Sequence, residues 1–154
     1  MKLNLALLLI CSFVFVDAQQ TAPFSLSISA EKSEVTNNGD VYIQITMTNT
    51  SNHDENCTSV YNNGVNKSYQ YHVYSADGKK LPNISRKHPE METGGSAEMC
   101  TLKPGESLTQ SSLISRLVAF QGPGNYIVQV SRRDLDDPKG GAVMSNKITI
   151  TISN

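Results

Sequence analysis

Cys57 and Cys100 offer the clearest chemistry in the chain. The third cysteine, Cys11, sits in an N-terminal segment that reads as a cleaved leader, so two thiols remain and one intramolecular pairing is possible. In an oxidising compartment such a pair closes a disulfide, with free thiols or an intermolecular link as the alternatives. The loop it would close is long, and the chain-entropy model gives about 4 kcal/mol for restricting the unfolded chain. Histidine is the usual proton carrier and metal ligand. His53, His72 and His88 are widely spaced, and neither a His-Glu-x-x-His pattern nor paired cysteines accompany them, so no zinc or hydrolytic centre is expected. Asp134-Leu135-Asp136-Asp137 is the densest acidic cluster. It lacks the grammar of a calcium loop and has Arg132-Arg133 beside it, so it reads as a solvated turn. Serines are plentiful, but no Gly-x-Ser-x-Gly elbow singles one out as a nucleophile. No catalytic residue, metal or cofactor is therefore expected.

Two further sets of residues could carry recognition. Sugar binding favours exposed planar rings, which brings up Tyr69, Tyr71 and Tyr74; with no Trp in the chain, packing into a core is the expected role. Asn49, Asn56, Asn66 and Asn83 head Asn-x-Ser/Thr sequons, an excess only slightly above what this Asn, Ser and Thr content yields.

The surroundings of these residues follow from composition. Lys2, the apolar run from Leu5 to Val16 and the ending Val16-Asp17-Ala18 have the layout of a secretory signal peptide over residues 1–18, leaving a mature domain over residues 19–154 that starts at Gln19. About 12 apolar residues reach only about 18 Å as a helix, short of a bilayer core of about 30 Å. Ile10 stands where a lipoprotein needs a small residue before its cysteine, so lipidation at Cys11 is not expected. The mature protein should be secreted, extracellular or periplasmic, with no stable membrane insertion. With 13 basic against 14 acidic side chains and a net charge of −1, the full chain has no field to gather phosphate backbones, and nucleic acid is not an expected partner.

The elements that must position all this are strands. Phe24, Leu26 and Ile28 alternate with serines, and Val41, Ile43, Ile45 and Met47 alternate with Tyr42, Gln44, Thr46 and Thr48. Tyr69 to Val73, Leu108 to Ile114, Tyr126 to Val130 and Ile148 to Ile152 repeat the pattern, with one or two shorter strands between Leu81 and Leu102. Asn38-Gly39-Asp40, Asp77-Gly78, Pro104-Gly105 and Pro123-Gly124 mark turns. Only Ile114 to Phe120 could hold a helical turn. The whole predicts an all-β domain, an immunoglobulin-like antiparallel β-sandwich of about seven strands. Ser51 to Asn66 and Asn83 to Ala97 read as exposed connections, which places Cys57 in a loop outside the alternating core. Tyr126, at a strand start, is placed to hydrogen-bond back across a corner between the sheets. The cysteine spacing and the lack of Trp set the chain apart from antibody domains.

Ser75-Ala76-Asp77-Gly78-Lys79, Leu102-Lys103-Pro104-Gly105-Glu106-Ser107 and Pro123-Gly124-Asn125-Tyr126-Ile127-Val128-Gln129-Val130 follow one another across the second half. That run resembles small bacterial immunoglobulin-like modules of the intracellular proteinase inhibitor type, and is similar to the β-rich pro-regions of deuterolysin-like metallopeptidases. The resemblance implies a sandwich fold and admits proteinase inhibition. The expected function is a secreted, non-enzymatic binding module whose partner is a protein or cell surface, met through the long loops or an open sheet edge. A secreted proteinase inhibitor is the first alternative and a hydrolase or metal-dependent enzyme the second.

Overall fold

Residues 22–84, 95–134, 137 and 140–154 are described by a computed structural model of the chain; the expected leader lies outside them. Thirteen strands occur among these residues: β1 (Phe24–Ala30), β2 (Glu34–Thr36), β3 (Tyr42–Asn49), β4 (Glu55–Asn56), β5 (Ser59–Asn62), β6 (Val65–Asn66), β7 (Gln70–Ser75), β8 (Gly95–Glu98), β9 (Thr101–Leu102), β10 (Ser107–Leu113), β11 (Gly124–Arg133), β12 (Ala142–Met144) and β13 (Ile148–Ser153). Among the described residues a 3-10 turn, Ile114–Arg116, falls within the segment where a helical turn was expected.

Period-2 alternation builds two principal sheets. Sheet 1 has the order β1-β3-β10, antiparallel throughout; in sheet 2 the long β11 pairs with β7 on one side and with β12 and β13 on the other, and β2 lies beyond β13. Inward side chains of sheet 1, Leu26, Ile43, Ile45 and Met47 among them, share one core with Tyr126, Val128, Val130, Ile150 and Ile152 of sheet 2. This is a β-sandwich in which each fully buried aliphatic side chain contributes about 1.5–3 kcal/mol over exposure. Asn146, in the link between β12 and β13, joins the sheets in a second way. Its carboxamide accepts from the Ile28 N–H at 2.7 Å and donates to the Ile28 carbonyl at 3.0 Å, doing for the β1 edge what a neighbouring strand would do.

Turns fall where fixed and free φ were placed side by side. In Lys103-Pro104-Gly105-Glu106 the Glu106 N–H donates to the Lys103 carbonyl at 2.9 Å and Gly105 has φ 80°, a type II turn. A Cβ at Gly105 would meet nothing within 4 Å, so backbone conformation alone favours glycine there. Tyr126 takes its corner position: its hydroxyl donates to the Gly122 carbonyl at 2.8 Å, and Phe120 packs edge-on to its ring at 5.0 Å.

Three expectations are corrected. The sandwich is not wholly antiparallel, because the chain leaves sheet 1 after Ala30 and runs β2 parallel to β13, with the Thr151 N–H donating to the Ser33 carbonyl at 2.8 Å. There are more strands than the seven expected, since short pairings (β4 with β9, and β6-β5-β8) fill stretches whose polar composition hid them. Ser51 to Asn66 is accordingly no exposed loop: Glu55, Cys57, Ser59, Val65 and Asn66 are buried. Asn63-Gly64, both at positive φ, closes the β5–β6 hairpin. The strands expected between Leu81 and Leu102 are present as β8 and β9.

Candidate functional site

The inward positions of the two sheets are alike; the outward ones are not. Sheet 1 turns out three cross-strand rows, Ser25–Thr48–Ser107, Ser27–Thr46–Thr109 and Ser29–Gln44–Ser111, set by strand register. Thr46 Oγ1 lies 2.8 Å from Thr109 Oγ1, and Thr48 Oγ1 lies 2.8 Å from Ser107 Oγ. Hydroxyls thus order hydroxyls across the face, each able to donate and accept. None of these side chains is charged. At the 18% charged content of the whole chain, about one or two of these nine positions would carry a charge.

Tyr42 ends the outward row of β3 and is 37% exposed. It also lines a groove of about 410 Å³ with Glu31, Lys32, Glu34, Val35, Thr36, Gly39 and Asp40. The groove exists because the chain crosses here from β1 to β2 and then turns at Asn38-Gly39 back into β3, with the Gly39 N–H on the Thr36 carbonyl at 2.8 Å. The Glu31 N–H donates to the Tyr42 carbonyl at 3.1 Å, so the carboxylate-bearing crossover is fastened beside the ring. Chemically the site combines an aromatic plate, acceptor-only carboxylates and a neutral hydroxyl field.

The residues singled out from sequence fall elsewhere. Cys57 and Cys100 form a disulfide with Cα atoms 5.1 Å apart. Cys57, at 1% exposure, belongs to the core, which corrects its expected place in a loop outside it. Beside it Arg132, read from sequence only as the neighbour of the acidic cluster, is only 2% exposed. Its Nη2 donates to the carbonyls of Asn56 and Thr58 at 3.2 and 3.1 Å, and its guanidinium lies 5.4 Å from the Tyr69 ring centroid. Arg132 Nη1 is buried without a hydrogen-bond partner. The three tyrosines do not form an exposed plate. Tyr69 is buried, and Tyr71 joins a polar network with its hydroxyl 2.7 Å from both the Asn66 carbonyl and Ser112 Oγ. Burial pushes the Tyr71 phenol well above its ordinary value. Gln110 Oε1 accepts from Ser59 Oγ at 2.8 Å in the same network, which fastens β5 and β6 to β10. Two sequon asparagines, Asn49 and Asn66, are buried, with the Asn49 carboxamide donating to the His53 and Leu102 carbonyls; Asn56 and Asn83 are exposed.

His72 Nε2 lies 2.9 Å from Ser131 Oγ, a pairing that sequence spacing did not suggest. Its other nitrogen faces Lys80 Nζ at 3.5 Å, and burial followed by that cation lowers its pKa. A cation where a triad would place a carboxylate opposes the imidazolium that a general base must become, and Ser131 is buried. His53 Nε2 reaches the buried Glu55 carboxylate at 2.8 Å. His88, Leu135 and Asp136 lie outside the described residues, while Asp137 caps its own turn, accepting the Gly140 N–H at its Oδ1 at 3.0 Å. Among the described residues no group of three or more His, Cys, Asp or Glu side chains could hold a metal ion, and no helix is long and apolar enough to cross a membrane.

Sequence signal missed Tyr42 and its groove. Its outward place in an alternating strand was legible, but the crossover that walls the groove depends on the parallel β2–β13 pairing.

No protein-family model matches the sequence. No curated protein matches it either. Solved structures similar to it include the C-terminal domain of Wzt, at 11% identity and TM-score 0.47 over 86% of this chain and 74% of that one. A β-glucosidase, EmGH1 of Erythrobacter marinus, aligns at 10% identity and TM-score 0.45 over 84% of this chain. The Pseudomonas fluorescens alkylpurine DNA glycosylase AlkC, bound to DNA with an abasic-site analogue, aligns at 8% and 0.46 over 86%. The chain spans 15% and 31% of the length of those two enzymes.

Proposed function

We propose that the chain is a secreted, non-enzymatic binding module with an immunoglobulin-like sandwich, and that it engages a cell-surface partner through the outer face of sheet 1. The observation that carries this reading is the uncharged, register-aligned polar face ending at the exposed Tyr42. Inward packing does not require it. The fold needs only that outward residues be polar, and charged ones would serve as well.

The immunoglobulin-like assignment draws on strand order and on one corner. Of the six longest strands, the first, second and fourth (β1, β3, β10) make one sheet and the third, fifth and sixth (β7, β11, β13) the other. Constant-type immunoglobulin domains partition A, B and E against C, F and G in the same way, and carry a Tyr near the start of the F strand bonded to the backbone a few residues upstream, as Tyr126 is to Gly122. Secretion draws on the leader-like first 18 residues and on the Cys57–Cys100 bridge, which favours an oxidising compartment.

Fluorescently labelled mature protein, residues 19–154, incubated with intact cells of the source organism tests the reading. Saturable retention that unlabelled protein displaces is expected. Retention that rises linearly and resists competition would remove the binding role.

A further inference from the structure

The partner chemistry follows from what the face and its groove lack as much as from what they hold. We propose that sheet 1 and the Tyr42 groove form a binding site for a neutral polysaccharide. The inference rests on the reading of sheet 1 as the binding surface.

Three classes of partner can be compared. A polyanion needs cations, but the hydroxyl rows have none, and the groove sets the carboxylates of Glu31, Glu34 and Asp40 against one Lys32. A hydrophobic protein surface needs apolar contact area; outward from β1 and β3 the apolar contribution is the Tyr42 ring. A neutral, hydroxyl-rich polymer meets both conditions. Its hydroxyls donate to and accept from Ser and Thr hydroxyls, and donate to carboxylates in charge-assisted bonds of roughly twice neutral strength. Its sugar rings present C–H faces that pack on an aromatic plate, the role open to Tyr42.

Geometry favours a polymer over a single sugar. Rows repeat at about 4.8 Å across strands and about 6.7 Å between successive outward residues of one strand, so the hydrogen-bonding field extends well beyond one ring. The Thr46–Thr109 and Thr48–Ser107 contacts hold the rows in place before a ligand arrives, which lowers the ordering cost of binding. The groove at one end supplies the charge-assisted contacts, and the flat face extends from it.

Affinity electrophoresis of the mature chain through gels containing dextran, laminarin, hydroxyethylcellulose or soluble starch, with alginate as polyanion, tests the proposal. Retardation is expected in at least one neutral gel and not in alginate. Tyr42→Ala should weaken that retardation about tenfold, the scale of one aromatic packing contact. Tyr42→Phe, which keeps the ring, should bind like the parent. Thr109→Lys provides a second, independent variant on an exposed position and should also weaken binding. Absence of retardation in every neutral gel overturns the proposal, as does unchanged retardation of both Tyr42→Ala and Thr109→Lys. If cells retain the protein, Thr109→Lys abolishes that retention and no neutral gel retards it, the face remains the binding surface and the polysaccharide is ruled out.

Discussion

Sheet 1 and sheet 2 bury comparable aliphatic faces against each other but present different exteriors. The outer face of sheet 2 is chemically mixed. Tyr74 pairs across Ile127, His72 sits over Ser131 with Lys80 at its other nitrogen, and Gln129 Nε2 donates to the Ser145 carbonyl at 2.7 Å. These outward groups are engaged with their own neighbours. On sheet 1 the outward groups form neutral rows whose internal contacts leave most hydroxyl capacity free for a partner. A shared inner pattern with divergent outer ones separates what folding requires from what it leaves open.

The inner equivalence breaks first if it is wrong. Ile45→Ala in sheet 1 and Ile150→Ala in sheet 2, both fully buried, should each cost about 2–5 kcal/mol in urea denaturation. A large loss for one and a negligible loss for the other would mean the sheets do not share a core. Cys57→Ser should cost about 2–4 kcal/mol while far-UV circular dichroism stays that of a β protein. Two free thiols per chain on quantitative labelling of the denatured parent would contradict the bridge. Asn146→Ala probes the link between sheets and should cost about 1–2 kcal/mol by leaving the Ile28 N–H and carbonyl without their partner.

A smaller effect sharpens the outer contrast. His72 titrates below its ordinary 6.5, held there by burial and then by Lys80. The unfolded chain therefore takes up the proton first as pH falls through 6.5, and stability declines from there to the folded-state value before levelling off. His72→Asn should flatten that part of a pH–stability profile, whereas substitutions on the outer face of sheet 1 should leave its slope unchanged. An unaltered profile in His72→Asn would show that this contact does not sense protonation.

Five of the six long strands were legible because apolar and polar residues alternate in them, while β10, whose inward side carries Gln110 and Ser112, was marked chiefly by the Pro104-Gly105 turn ahead of it; Asp77-Gly78 punctuates the chain in the same way. Cys57 and Cys100 were legible as a pair by elimination. Burial of Cys57 was not, since the residues around it, from Ser51 to Asn66, are polar and satisfy their hydrogen bonds in short pairings that leave no periodic trace. Arg132 continues the inward alternation of Val128 and Val130. Its charge masked that position, and its carbonyl partners, Asn56 and Thr58, lie more than 70 residues away in sequence. The hydroxyl rows illustrate the same limit: each strand showed outward Ser and Thr, but a row exists only once register aligns three strands.

The claim that sheet 1 carries binding while sheet 2 does not is tested most directly by a matched pair, Thr109→Lys on sheet 1 and Thr149→Lys on sheet 2, both at exposed positions. Each should alter stability by no more than about 0.5 kcal/mol. Retention of labelled mature protein on intact cells should be lost in Thr109→Lys and kept in Thr149→Lys. Loss in Thr149→Lys with full retention in Thr109→Lys would contradict the assignment and move the binding surface to the opposite sheet.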